Sequence, residues 1–90
     1  MSQAIVDPGE LRRFAHNLKR FNGELQTGLA ALHGQMVGLG ESWRDQEHEK
    51  FVQEFEQTMA VLESFMEQSN LHIPFLLRKA ERIEEYLAQK

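Results

Sequence analysis

Leucine returns at every seventh residue through the first half of the chain, at Leu11, Leu18, Leu25, Leu32 and Leu39. Seven residues are close to two helical turns, so the five side chains share one stripe of a helix. Phe14 and Phe21 flank that stripe, and the companion apolar positions drift to Leu29 and Met36, because 3.6 residues per turn does not divide seven. Asp7-Pro8-Gly9-Glu10 marks the start of this helix. There Asp7 can accept from unpaired backbone N–H groups, Pro8 needs no donor at the first helical position, Glu10 can reach back, and Val6 can pack on Leu11. In the second half Phe55, Met59, Leu62, Met66, Ser69, Ile73, Leu76, Ala80, Ile83 and Leu87 follow at alternating steps of four and three, with Ser69 the single polar member. No strand-type alternation competes with this helical period.

Gly38-Leu39-Gly40-Glu41 is the internal stretch with turn chemistry, since glycine reaches the left-handed conformation that ends many helices. Ser42, with Asp45 three residues on, reads as the next helix start, which places Trp43 in the first turn. The pattern predicts helix 1 over about 8–38, a turn at about 38–42, and helix 2 over about 43–88. Pro74 cannot donate to the carbonyl of Asn70, so a slight kink is expected near it, but the apolar register passes through unchanged. Gly23, Gly28, Gly34 and Gly38 admit two readings: close crossing of a partner helix, or a loosely formed helix 1.

Two long helices joined by a short turn pack antiparallel. A hairpin has one internal seam, yet each helix carries a second apolar stripe: Phe14, Phe21, Leu29 and Met36 on helix 1, and Val61, Phe65, His72 and Phe75 on helix 2. Leaving one such side chain in water forfeits roughly 1.5–3 kcal/mol, a large fraction of a small domain's stability. The expected fold is therefore an all-α antiparallel helical hairpin (helix-turn-helix) that assembles as a dimeric four-helix bundle. Phe14, Phe21, Leu29, Met36, Val61, Phe65 and Phe75 are its expected dimer interface. A turn centred near residue 41 sets Leu18 opposite about Met66 and Leu11 opposite about Ile73. Helix 2 then overhangs from about Leu77, and Tyr86 and Leu87 become candidates for recognition at the C-terminal end.

Composition narrows the chemistry. The chain has 90 residues, ten basic and fourteen acidic side chains, and no cysteine, which suits one small domain without disulfides, thiolate nucleophile or Cys-type zinc site. The apolar run around Ile73-Pro74-Phe75-Leu76-Leu77 is far too short for a membrane span, and the first twenty residues carry no signal-peptide core, so neither a membrane span nor a cleaved signal is expected. Asp45 and His48 share one helix face, but a carboxylate-bridged metal bundle needs a second such pair and two further carboxylates. No catalytic residues, metal or cofactor are assigned, and a metalloenzyme assembled on dimerisation is the weakest functional class. Arg12, Arg13, Lys19 and Arg20 form a basic patch that is expected to pair across the hairpin with Glu63 and Glu67 rather than to bind nucleic acid.

Several local features together resemble the WXG superfamily, the early-secreted-antigen-like hairpins exported by type VII (ESX) secretion systems. They are Ile5-Val6-Asp7-Pro8-Gly9-Glu10-Leu11 opening helix 1, small residues along its second half, Leu39-Gly40-Glu41-Ser42-Trp43 at the turn, Phe51 eight residues on, and the acidic end Ala80-Glu81-Arg82-Ile83-Glu84-Glu85-Tyr86. The resemblance implies a non-enzymatic protein that pairs as a homodimer or as a heterodimer with a related helical hairpin. It also implies contact with the secretion machinery, and a protein that is secreted without a cleaved signal peptide or is cytoplasmic before export. In the turn motif Trp43-Arg44-Asp45, Asp45 stands where the family has glycine, which favours its helix-cap role. The family's export signal, a tyrosine followed four residues later by an acid, maps onto Tyr86, where the later position is Lys90. That departure motivates an alternative, an intracellular adaptor or chaperone-like partner of a larger secreted effector.

Overall fold

The computed structural model describes residues 6–89; Ile5 and Lys90, which carry parts of the resemblance, lie outside them. Two helices, α1 (Pro8–Leu39) and α2 (Gln46–Ala88), run antiparallel as a hairpin with principal extents of 68 × 23 × 15 Å. Asp7 caps α1, its carboxylate accepting from the Gly9 N–H at 2.8 Å. α2 opens at Gln46 and not near residue 43, because Asp45, not Ser42, takes the cap and accepts from the His48 N–H at 3.0 Å. Ser42 is still engaged in closing α1: its N–H and that of Trp43 both donate to the Leu39 carbonyl, at 3.1 and 2.8 Å.

α1 also ends without a left-handed residue. Gly40 keeps right-handed angles (φ −64°, ψ −13°), and the N–H groups of Gly40, Glu41 and Ser42 each reach back three residues at 3.1 Å, tightening the last turn instead of reversing it. Gly40 matters through close approach, since a Cβ there would lie 3.3 Å from the Val37 carbonyl oxygen and 3.5 Å from His48 Cε1. The other glycines of α1 sit in an unbroken helix; at Gly23, Gly28, Gly34 and Gly38 a Cβ would meet nothing within 4 Å. α2 likewise continues through Pro74, which is exposed, so the hydrogen bond it cannot make falls on the solvent side of the helix.

The seam combines two interleaved series on each helix. On α1 the buried line is Ala15, Asn22, Leu29 and Met36, with Leu11, Leu18 and Leu25 half-buried beside it and Leu32 and Leu39 exposed. The seven-residue leucine stripe is thus the edge of the seam and not its centre. On α2 Met59, Met66, Ser69, Ile73 and Ala80 are buried and Phe55, Leu62, Leu76 and Ile83 half-buried, the four-three series read from the sequence. Leu29 and Met36, expected on a dimer face, instead pack inside the hairpin with Met59 and Met66, at 8% and 5% exposure.

The two helices meet seven residues away from the expected register. Asn22 faces Ser69 and Asn70, which sets Leu18 level with Ile73 rather than Met66. The longer connection, in which Trp43, Arg44 and Asp45 belong to the turn and not to α2, accompanies the shift but accounts for only part of it. The expected overhang from about Leu77 consequently shortens to the last residues of α2. Leu77 is half-buried, Ala80 is 0% exposed, and Arg12 joins α1 to Glu84.

Candidate interaction surface

The hairpin is one layer of helices thick, and among the described residues none of the larger side chains is fully enclosed. What it leaves outside is sorted by face. Phe14 (58% exposed), Phe21 (50%), Phe65 (46%) and Phe75 (56%) all present ring surface to solvent. Phe14 and Leu18 of α1 and Phe65, Ser69, His72, Phe75 and Leu76 of α2 line one open groove. Phe21 meets Phe65 across the hairpin, edge to face, with ring centroids 6.3 Å apart and planes at 87°. Val61, one turn before Phe65, extends the exposed apolar stripe on α2.

The other long groove has different chemistry. Lys19, Gln26 and His33 of α1 and Glu63, Glu67 and Asn70 of α2 border it. At about 100° per residue, positions 19, 26 and 33 leave α1 on the far side of its buried line from positions 14 and 21. The exposed rings of Phe14, Phe21, Phe65 and Phe75 therefore lie on one side of the buried seam, and the groove bordered by Lys19, Glu63 and Glu67 on the other. Of the seven side chains expected at a dimer interface, Phe14, Phe21, Val61, Phe65 and Phe75 are exposed, while Leu29 and Met36 belong to the seam.

The turn end is closed by rings. Trp43, half-buried, packs on His48 (centroids 5.0 Å apart) and on Phe51 (5.7 Å), and Phe51 stacks on Phe55 at 5.6 Å with planes 18° apart. Arg44 Nε donates to the Gly40 carbonyl at 3.1 Å, tying the turn to the end of α1. Asp45 and His48 meet through the helix cap, carboxylate to backbone N–H, and not as side chains converging on a common point. Among the described residues no three His, Asp or Glu side chains gather as metal ligands, and no helix is long and apolar enough to cross a membrane.

At the open end Arg12 Nε donates to Glu84 Oε2 at 3.0 Å while Nη2 donates to Oε1, a two-point pair. Arg12 thus pairs with Glu84 and not with Glu63 or Glu67. These hydrogen bonds hold the Glu84 carboxyl below the usual carboxylate range and raise the Arg12 guanidinium further. Tyr86 and Leu87 are exposed on the last turn of α2.

Sequence reasoning missed Asn22, which is buried in the seam and donates to Ser69 Oγ at 2.7 Å and to Asn70 Oδ1 at 2.9 Å. A signal was present, because Asn22 lies seven residues before Leu29 and falls on the companion series.

A family model described as "WXG100: Proteins of 100 residues with WXG" matches residues 3–86. No match was found among curated proteins or among solved structures.

Proposed function

This chain belongs to the WXG100 family, and we propose that it is a small non-enzymatic interaction module that pairs through its aromatic face with a second helical hairpin, as a homodimer or with a related chain. The observation that carries the reading is the concentration of Phe14, Phe21, Phe65 and Phe75, each about half exposed, on one side of the hairpin, while charged Lys19, Glu63 and Glu67 border the groove on the other. One apolar face accepts one partner face, which favours a closed pair and a four-helix bundle over an open chain of subunits. Sedimentation of the purified chain at micromolar concentration tests this. A two-hairpin particle is expected, and a well-ordered monomer would overturn the pairing.

The family resemblance further supports export through a type VII (ESX) system, with the paired hairpins as the transported species. Deleting that machinery from the native host should abolish the extracellular protein; equal amounts outside the cell with and without it would remove this part. Lys90, in the place of the acid that follows the family's tyrosine by four residues, favours a second reading. In it the hairpin stays inside the cell as an adaptor or chaperone-like partner of a larger secreted effector. Co-purification with such a chain, together with no extracellular hairpin, is the result that reading requires.

A further inference from the structure

Both helices repeat their apolar positions with the same period, so sliding one past the other by seven residues, about 10 Å, again sets apolar rows on apolar rows. A minimal turn centred near residue 41 favours that slid arrangement, with Leu18 at Met66 and Leu11 at Ile73. The hairpin stands one heptad away from it, and the polar contacts in the seam fall where the two arrangements differ. Asn22, 4% exposed, donates its amide to Ser69 Oγ and Asn70 Oδ1, while the Ser69 hydroxyl donates to the Phe65 carbonyl at 2.9 Å. Asn22 Oδ1 is itself buried with no partner among the described residues, and the amide is held through its N–H groups. Sliding by a heptad would set that amide on Leu62, draw the Glu63 carboxylate toward the seam and leave Arg12 beside Leu77.

We propose that the cluster of Asn22, Ser69 and Asn70 selects the register of the hairpin and thereby sets Phe14 beside Phe75 on its aromatic face. A polar residue on an otherwise apolar seam specifies alignment, because each misaligned arrangement strands it without partners. The consequence reaches the surface. In the slid arrangement Phe65 passes from the level of Gln26 to that of Lys19, which changes its edge-to-face contact with Phe21, and Phe75 moves level with the start of α1, out of the groove it now shares with Phe14. That last step rests on the pairing proposed above, whereas the choice of register does not.

The chain has no cysteine, so two spin labels can be placed cleanly at Glu24→Cys and Lys79→Cys, both exposed and on different helices. Dilution with excess unlabelled chain restricts the measured distances to one hairpin. The parent should give a single distance. Asn22→Leu should add a second one displaced by about 10 Å, with the slid population rising roughly tenfold or more. The double variant Ser69→Ala/Asn70→Ala, which removes both acceptors, should do the same and serves if Asn22→Leu fails to fold. Exchanging the partners, Asn22→Ser with Ser69→Asn, should restore the single distance. One unchanged distance in a folded Asn22→Leu or in the acceptor variant would overturn the proposal, even if melting temperature fell, since that would mark a merely structural role. Sedimentation of the same samples reports pairing separately, so a monomeric parent would count against the pairing while the distances still judge the register.

Discussion

Asp7 and Asp45 each place a carboxylate on an N–H group in the first turn of the helix that follows, where the positive end of the helix dipole adds to the hydrogen bond. Asp45→Ala is expected to lower stability by about 1 kcal/mol, read by chemical denaturation with the fluorescence of Trp43, the single tryptophan. Ser42→Ala should change little, since the Ser42 contact in the turn is made by its backbone N–H. At the open end, Arg12 depresses the titration of Glu84 mainly through hydrogen bonds and secondarily through charge. A depressed carboxyl stabilises the fold fully above the ordinary glutamate range, and the contribution is lost as pH falls through the lowered folded-state value. A carbon-detected NMR titration should find Glu84 below the ordinary glutamate range, and Arg12→Ala should raise it. The effect on stability should be small and weaken with salt, because the pair is solvent-exposed.

Each helix is decided by its period more than by its exceptions. α2 runs unbroken through Pro74 because packing along the four-three series continues on both sides of it and the proline lies on the solvent side. Pro74→Ala should therefore stabilise the protein, by at most the ~3 kcal/mol intrinsic difference in helix propensity, without changing the labelled-pair distances described above. A fall in thermal stability would mean that α2 depends on a bend which the unbroken helix does not suggest. In α1 the glycines leave no hole in the hairpin, since a Cβ at Gly23 or Gly34 meets open space. Close approach is a requirement at Gly40 alone among the turn-end positions, against the Val37 carbonyl and the His48 ring.

For the whole molecule, a single helical layer makes the buried seam thin, and methionines supply much of it. Met66→Ala should cost about 2–5 kcal/mol, measurable as a shift of the denaturation midpoint at unchanged slope. Phe65→Glu addresses the other surface. It should raise the dissociation constant of the pair by roughly a hundredfold or more, while Glu49→Ala, on the acidic exterior near the turn, leaves it unchanged. Equal effects of the two substitutions in sedimentation would mean that the aromatic face is not where the partner sits.

Periodicity alone determined that the chain is two long helices in a hairpin, which residues of α2 line the seam, and that apolar side chains remain outside it. Those properties follow from a repeat of 3.6 residues acting locally, and each is visible wherever a helix writes its buried face in order. The one-heptad change of register, the shortening of the overhang, and the burial of Leu29 and Met36 were decided only by the tertiary structure. A seven-residue repeat matches itself after every slide of seven, so the apolar pattern cannot say which alignment forms. That choice lies in how the turn is closed between Leu39 and Asp45, by contacts local in the chain, and in where Asn22 finds partners across the seam, 47 and 48 residues away.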